Sequence, residues 1–196
     1  MKDIMIATGN PNKVREYKEM LEPLGFTVHD LREIKHTDVQ ETGTTFAENA
    51  LIKARSVYKN TSMMTIADDS GLSIRALNNQ PGIYSARYLE GHDYKYKNRA
   101  LIRRLKNKED RSAFFTCAIA FIDHEGNEHV FEGTFEGEIA YKPAGNNGFG
   151  YDPIFYLPQY GKTSAELLPE EKNAISHRGE ALRAFARELR NHLEAG

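Results

Sequence analysis

The chain has 196 residues, 26 lysines and arginines against 28 aspartates and glutamates, a formal net charge of −2 at pH 7 and a single cysteine. That length suits one domain with a sizeable core, and the balanced charge gives no global field for nucleic acid or an anionic membrane, so any anion site has to be local. Cys117 alone excludes a disulfide within the chain, no stretch approaches the ~20 apolar residues of a membrane span, and the opening M-K-D-I-M-I-A-T-G-N lacks the apolar core of a signal peptide. A soluble cytoplasmic protein is expected.

In chain order, Ile4 to Ala7 reads as a short strand stopped by Thr8-Gly9-Asn10-Pro11. A helix follows. Asn10 can cap it, Pro11 suits its first position, and Val14, Tyr17, Leu21 and Leu24 recur at spacings of three and four before Gly25. Phe26 to Asp30 can be a second strand, and Lys35 to Thr44 reads as a loop. Thr45-Phe46-Ala47-Glu48 has the form of a capping box, with Ala47, Ala50, Leu51, Ala54, Val57 and Tyr58 as the apolar stripe behind it. A strand over 63–67 then meets I-A-D-D-S-G-L-S, whose composition predicts a turn at Ser70-Gly71, and Leu72 to Leu77 can return as another strand. Residues 81–88 read as a loop and 93–108 as a basic helix. Phe114 to Asp123 and Glu128 to Ile139 form a hairpin around His124-Glu125-Gly126-Asn127. The last helix starts near Ser176 and carries Leu182, Phe185, Ala186, Leu189 and Leu193 on one face. There is no repeat or linker, so the expectation is one mixed α/β unit.

Four segments can carry chemistry. Thr8, Gly9, Asn10, Pro11, Asn12 and Lys13 lie where a strand feeds a helix, and the free N–H groups there attract phosphate; a simple capped turn reads equally well. It is not the phosphate loop G-x-x-x-x-G-K-[ST], because the second glycine and the hydroxyl are missing. Glu41 and the pair Asp68-Asp69 sit on two loops, and magnesium needs few protein carboxylates; solvated turn acids are the competing reading. No cysteine or histidine stands at zinc spacing. Strand alternation through 68 and 69 would send the two side chains to opposite sides. In G-F-G-Y-D-P, residues 148–153, the glycines let backbone approach a flat ligand and Phe149 or Tyr151 offers a stacking face, unless both aromatics belong to the core. Lys172 with Ser176-His177-Arg178-Gly179 gathers donors at a helix start, with capping plus an exposed cationic surface as the competing reading. The basic run Lys95, Lys97, Arg99, Arg103, Arg104, Lys106, Lys108 and Arg111 has apolar Ala100, Leu101 and Leu105 at helical spacing, so it reads as a solvated helix face rather than a nucleic-acid site.

Taken together, A-T-G-N-P-N-K (7–13), E-T-G-T-T-F-A-E-N-A (41–50), A-D-D-S-G-L (67–72), P-G-I-Y-S-A-R-Y (81–88), G-F-G-Y-D-P-I-F (148–155) and I-S-H-R-G-E-A-L (175–182) resemble the inosine triphosphate pyrophosphatase family, nearly end to end and in the family's order. The resemblance implies a mixed twisted sheet with flanking helices, two lobes around a central cleft, and a homodimer. It also implies magnesium-dependent cleavage of ITP, dITP and XTP to the monophosphate and pyrophosphate, which clears them from the nucleotide pool, with no direct nucleic-acid or membrane partner. By motif, Thr8 to Lys13 would hold the triphosphate, Asp69 would be the catalytic carboxylate and Ser70 would touch the substrate. Phe149, Gly150, Tyr151 and Asp152 would form the base and sugar wall, completed by Lys172, His177 and Arg178. One departure stands out. The family often has two acids before T-G, and this chain has Gln40 then Glu41, so the Mg2+ ligands beside Asp69 are Glu41, or Gln40 through its amide oxygen. Pyrimidine-directed pyrophosphatases of similar architecture and a non-catalytic nucleotide-binding module are the alternatives.

Overall fold

Local signals set the first elements. The structure, a computed structural model, describes residues 2–194, with side chains described through residue 191, so the apolar position expected at Leu193 lies outside the described side chains. Strand β1 (Lys2–Ile6) leads into α1 (Pro11–Leu21), where the Asn10 side chain accepts the Asn12 N–H at 3.0 Å and Pro11 opens the helix. Val14, Tyr17 and Leu21 are buried, and the helix stops one turn earlier than the apolar spacing predicts. Pro23, which has no N–H to continue the ladder, falls in a 3-10 turn over Glu22–Leu24, and left-handed Gly25 closes it. Strand β2 (Phe26–Asp30) follows. Helix α2 (Phe46–Thr61) is capped by Thr45, whose hydroxyl accepts the Glu48 N–H, while the Glu48 carboxylate accepts from the N–H and hydroxyl of Thr44.

Strand β3 (Met64–Ile74) corrects the expected turn: A-D-D-S-G-L is the middle of one eleven-residue strand, not its end. The strand persists because non-local partners occupy its polar groups. β1 pairs with it in parallel through Ile6↔Ile66, and β4 (Gln80–Pro81) pairs antiparallel at Ser73 and Ile74. Where neither strand reaches, the buried Ser85 hydroxyl accepts the Leu72 N–H at 2.8 Å. A 3-10 turn over Arg75–Leu77 replaces the tail of the expected second strand.

Helix α3 (Tyr94–Arg104) begins at Asp93, whose carboxylate accepts the Tyr96 N–H. It corrects the reading of a uniformly solvated basic run, because Lys97 and Arg111 are buried, 5% and 6% exposed. Their cations are spent on carbonyl groups: Lys97 donates to Ala86 O, and Arg111 to the carbonyls of Leu105, Ile139 and Ala140. Strands β5 (Ser112–Ile122) and β6 (Glu128–Ile139) follow, joined by a turn in which Asp123 accepts the N–H groups of Glu125 and Asn127. The chain ends with β7 (Phe155–Leu157), β8 (Lys162–Thr163), α4 (Pro169–Ile175) and α5 (His177–Glu194). Ser176 caps α5 through the Gly179 N–H, and Ala181, Phe185 and Leu189 form its buried line, with Leu182 half-buried.

The described strands follow the order β2-β1-β3-β5-β6-β7-β8, with β4 on β3, and mix parallel pairs (β1 with β2 and β3) with antiparallel ones (β6 with β7, β7 with β8). This is the mixed α/β sheet with helices that was expected. The chain forms two compact units: one runs through Asp69 and adds Ala118–Phe131, the other holds Ser70–Cys117 and the chain from Glu132 on. The first packs Met5, Ala50, Ala54, Val57, Ala67 and Ile122 together, and the second packs Leu72, Ile74, Leu101, Phe115, Phe135 and Phe155.

Candidate active site

In the first unit, β1 ends where α1 begins, and the loop there is pinned locally: the Asn10 N–H donates to the Thr8 hydroxyl at 3.2 Å. A Cβ on Gly9 would meet no protein atom within 4 Å, so the glycine leaves space beside the chain. That space is a cavity of about 380 Å³ lined by Thr8, Gly9, residues 36–39, Glu41 and Lys53. Its size falls within the range of small-ligand sites.

The acids and lysines meet in the same unit. Asp68 and Asp69 point to opposite sides of β3, as alternation requires, and each finds its own lysine. Lys13, in the first turn of α1, donates to Asp68 Oδ1 at 3.0 Å, and that carboxylate is 1% exposed. Lys53, on α2, donates to the Asp68 carbonyl at 2.5 Å and stands 3.7 Å from Glu41 Oε1 and 3.9 Å from Asp69 Oδ1. Burial pushes the Asp69 carboxyl up to about 6, against the pull of Lys53, with Glu41 adding to the rise. Its Oδ2 is buried and without a hydrogen-bond partner. The loop bearing Glu41 is held on α2, where the Asn49 side-chain oxygen accepts the Gly43 N–H at 2.8 Å. A Cβ on Gly43 would lie 2.6 Å from Glu48 Cβ, so this close approach needs glycine. Glu41 thus faces Lys53 while Gln40 is exposed.

In the second unit, the Ser70 hydroxyl is buried without a partner. Phe149 presents a ring 63% exposed, flanked by left-handed Gly148 (φ +70) and Gly150 (φ +63). A Cβ at Gly148 would run into the Asp152 carboxylate, which accepts the Phe149 N–H, the Ser164 hydroxyl and the Lys172 ammonium. Lys172 lies 5.1 Å above the Phe149 ring. Tyr151 is a core residue, 5% exposed, and its hydroxyl donates to Ser85 O. At the start of α5 the His177 ring stacks on Phe115, 4.8 Å between centroids, and Gly133 leaves room for the His177 carbonyl. Arg178, half-buried, follows it.

The Ham1 family model matches residues 4–188. The chain belongs to the Ham1 family. A dITP/XTP pyrophosphatase of Bacillus licheniformis is 49% identical to this Ham1 chain over 95% of it and 97% of the relative, and one of Thermus thermophilus is 46% identical over 93% and 89%. Among solved structures, a HAM1 protein from Coxiella burnetii superimposes with a TM-score of 0.93 at 43% identity, covering 97% of this chain and all of the other. The Staphylococcus aureus Ham1 protein gives 0.92 at 42%, with the same coverage.

Sequence reasoning missed Lys53 in this Ham1 chain, although a signal was there. Asn49, Lys53 and Val57 recur every four residues, so the lysine shares a helix face with two residues that are buried. Ser85, which holds both the Leu72 N–H and the Tyr151 hydroxyl, was also missed, and it has no local signature.

Proposed function

We propose that the protein hydrolyses the non-canonical purine nucleoside triphosphates dITP, ITP and XTP to the monophosphate and pyrophosphate, and so keeps these nucleotides out of DNA and RNA. Full-length similarity to proteins named for that activity supports the reading. The observation that carries it is Asp69, an enclosed carboxyl with a free Oδ2 and an affinity for protons raised to about 6. Such a group can take a proton near neutral pH, which is what a general base for water requires.

The N–H groups at the start of α1, with Thr8 to Lys13, hold phosphate oxygens, and Lys13 and Lys53 offset their charge. Asp69 orients a water and accepts its proton as the water oxygen bonds to the α phosphorus. The bond to the bridging oxygen breaks, and pyrophosphate leaves with that oxygen. Magnesium fits the donors present: an unpaired buried carboxylate oxygen on Asp69, with Glu41 beside the same lysine, are the hard oxygen ligands it prefers, and Gln40 would be the weaker, uncharged choice. When bound, the ion supplies charge neutralisation at the phosphate. Phe149 offers its ring to the purine, beside Asp152 and Lys172. Donors on His177 and Arg178 meet the six-position oxygen of hypoxanthine or xanthine, whereas the amine of adenine would leave them unpaired at about 1–3 kcal/mol. The reading includes a cytoplasmic homodimer. Burial of the only cysteine, Cys117, is consistent with a compartment where disulfides do not form.

A panel of ITP, dITP, XTP, ATP, thymidine and uridine triphosphates, assayed for pyrophosphate with and without magnesium, tests the proposal. Pyrophosphate from the first three, with magnesium only, is expected. Orthophosphate as the product, or preference for the pyrimidines, contradicts it. Asp69→Asn should lose about 10²–10⁴-fold in kcat while still binding ITP.

A further inference from the structure

Helix α3 turns two side chains, Tyr94 and Asn98, toward the segment that carries Phe149. The Tyr94 ring lies edge-on to Tyr151, 5.2 Å between centroids, and a Cβ on Gly150 would sit 3.5 Å from the Tyr94 ring. Asn98, 3% exposed, donates from Nδ2 to the Gly150 carbonyl at 3.1 Å. On either side of that carbonyl the chain is already held, at the Phe149 N–H by the Asp152 carboxylate and at the Tyr151 side chain by its hydroxyl on Ser85 O. Gly150 itself is left-handed and has no side chain of its own to fix its peptide, which lies inside the turn closed by the Asp152 N–H on the Phe149 carbonyl at 3.2 Å.

The other end of the Asn98 amide argues that this bond serves something besides stability. Asn98 Oδ1 is buried without a hydrogen-bond partner. A leucine of the same shape would remove that orphaned acceptor but leave the Gly150 carbonyl without its donor, so the amide brings no clear gain in stability over the apolar residue. We infer that Asn98 is a positioning residue for purine recognition: by fixing the Gly150 carbonyl it sets the face that Phe149 presents to the base. The inference rests on the purine site proposed above.

Because the chain has no tryptophan, Phe149→Trp puts a single indole at the platform, whose emission is distinct from that of the tyrosines. In that protein, with EDTA to prevent turnover, ITP is expected to quench the emission. Adding Asn98→Asp, which keeps the shape but replaces the donor, or Asn98→Leu, which removes both polar atoms, should raise the ITP dissociation constant about tenfold. With Phe149 intact, the same two substitutions should raise KM for ITP about tenfold and leave kcat within about twofold, whatever their effect on the melting temperature. A purely structural asparagine would lower the melting temperature and leave KM alone, and that result overturns the inference. Should Asn98→Asp fail to fold, Asn98→Leu decides by the same readouts. If ITP neither quenches the Phe149→Trp protein nor is turned over by the parent, the purine reading falls and takes this inference with it. If both parents respond and the Asn98 variants bind equally well, only the inference falls.

Discussion

Asp68 and Asp69 are neighbours in sequence with opposite energetics. Lys13 meets Asp68 at hydrogen-bond distance, whereas the nearest cation to Asp69 is 3.9 Å away and a second acid, Glu41, shares it. The motif pointed to Asp69, but its isolation could not be read locally, because it depends on Lys53 arriving from α2. The linkage sign follows from the folded value of about 6 against an ordinary 3.8. The stability this carboxyl contributes is fully present below about pH 4 and is lost as pH rises through 6, so at pH 8 its ionised form costs about 2–3 kcal/mol. An asparagine amide in its place bears no charge. With EDTA present, Asp69→Asn is therefore expected to melt above the parent at pH 8, with the gap shrinking by pH 5. A variant that melts lower at pH 8 would mean that the charge is better compensated than this geometry allows.

At the scale of elements, legibility tracked how local each determinant is. Helix α2 was read correctly because its cap at Thr45 and its stripe of Ala50, Ala54 and Val57 lie within the segment itself. Helix α4, Pro169–Ile175, is too short to show a period and went unread. Strand β3 was misread as a turn because D-S-G has turn composition, while its extended course is enforced from elsewhere, by β1, by β4 and by the Ser85 hydroxyl, which also donates to Gly82 O at 2.6 Å. Ser85→Ala should leave the buried Leu72 N–H unpaired and cost about 1–3 kcal/mol in denaturant unfolding, and Ser85→Thr, which keeps the hydroxyl, should recover most of it. Equal stability of the alanine variant would show that β3 does not need this side chain. In the same way Gly43→Ala, which forces a Cβ onto Glu48, should lower stability by about 1–3 kcal/mol and reduce turnover by displacing Glu41.

For the molecule as a whole, the residues assigned to phosphate, metal and proton transfer all belong to the first unit, and Ser70 with those assigned to the base to the second, the chain passing from one to the other at Asp69-Ser70. The motifs revealed this division of labour only as an order along the sequence. It makes a thermodynamic prediction, because a ligand that binds the folded state stabilises it by RT ln(1 + [L]/Kd), about 2.7 kcal/mol at a hundredfold excess over Kd. For a chain of this size that corresponds to a rise in melting temperature of about 5–10 °C. In the Asp69→Asn protein, where turnover is blocked, ITP with magnesium should produce such a rise, and ATP at the same concentration a smaller one. Pyrophosphate and inosine monophosphate, supplied together but unlinked, should raise it by less than ITP does, since the intact nucleotide loses its translational freedom once and presents its second part at high effective concentration. A melting shift from pyrophosphate alone as large as that from ITP would mean that Phe149, His177 and Arg178 contribute nothing to binding, and purine selection would then have to come from the transition state rather than from ground-state affinity.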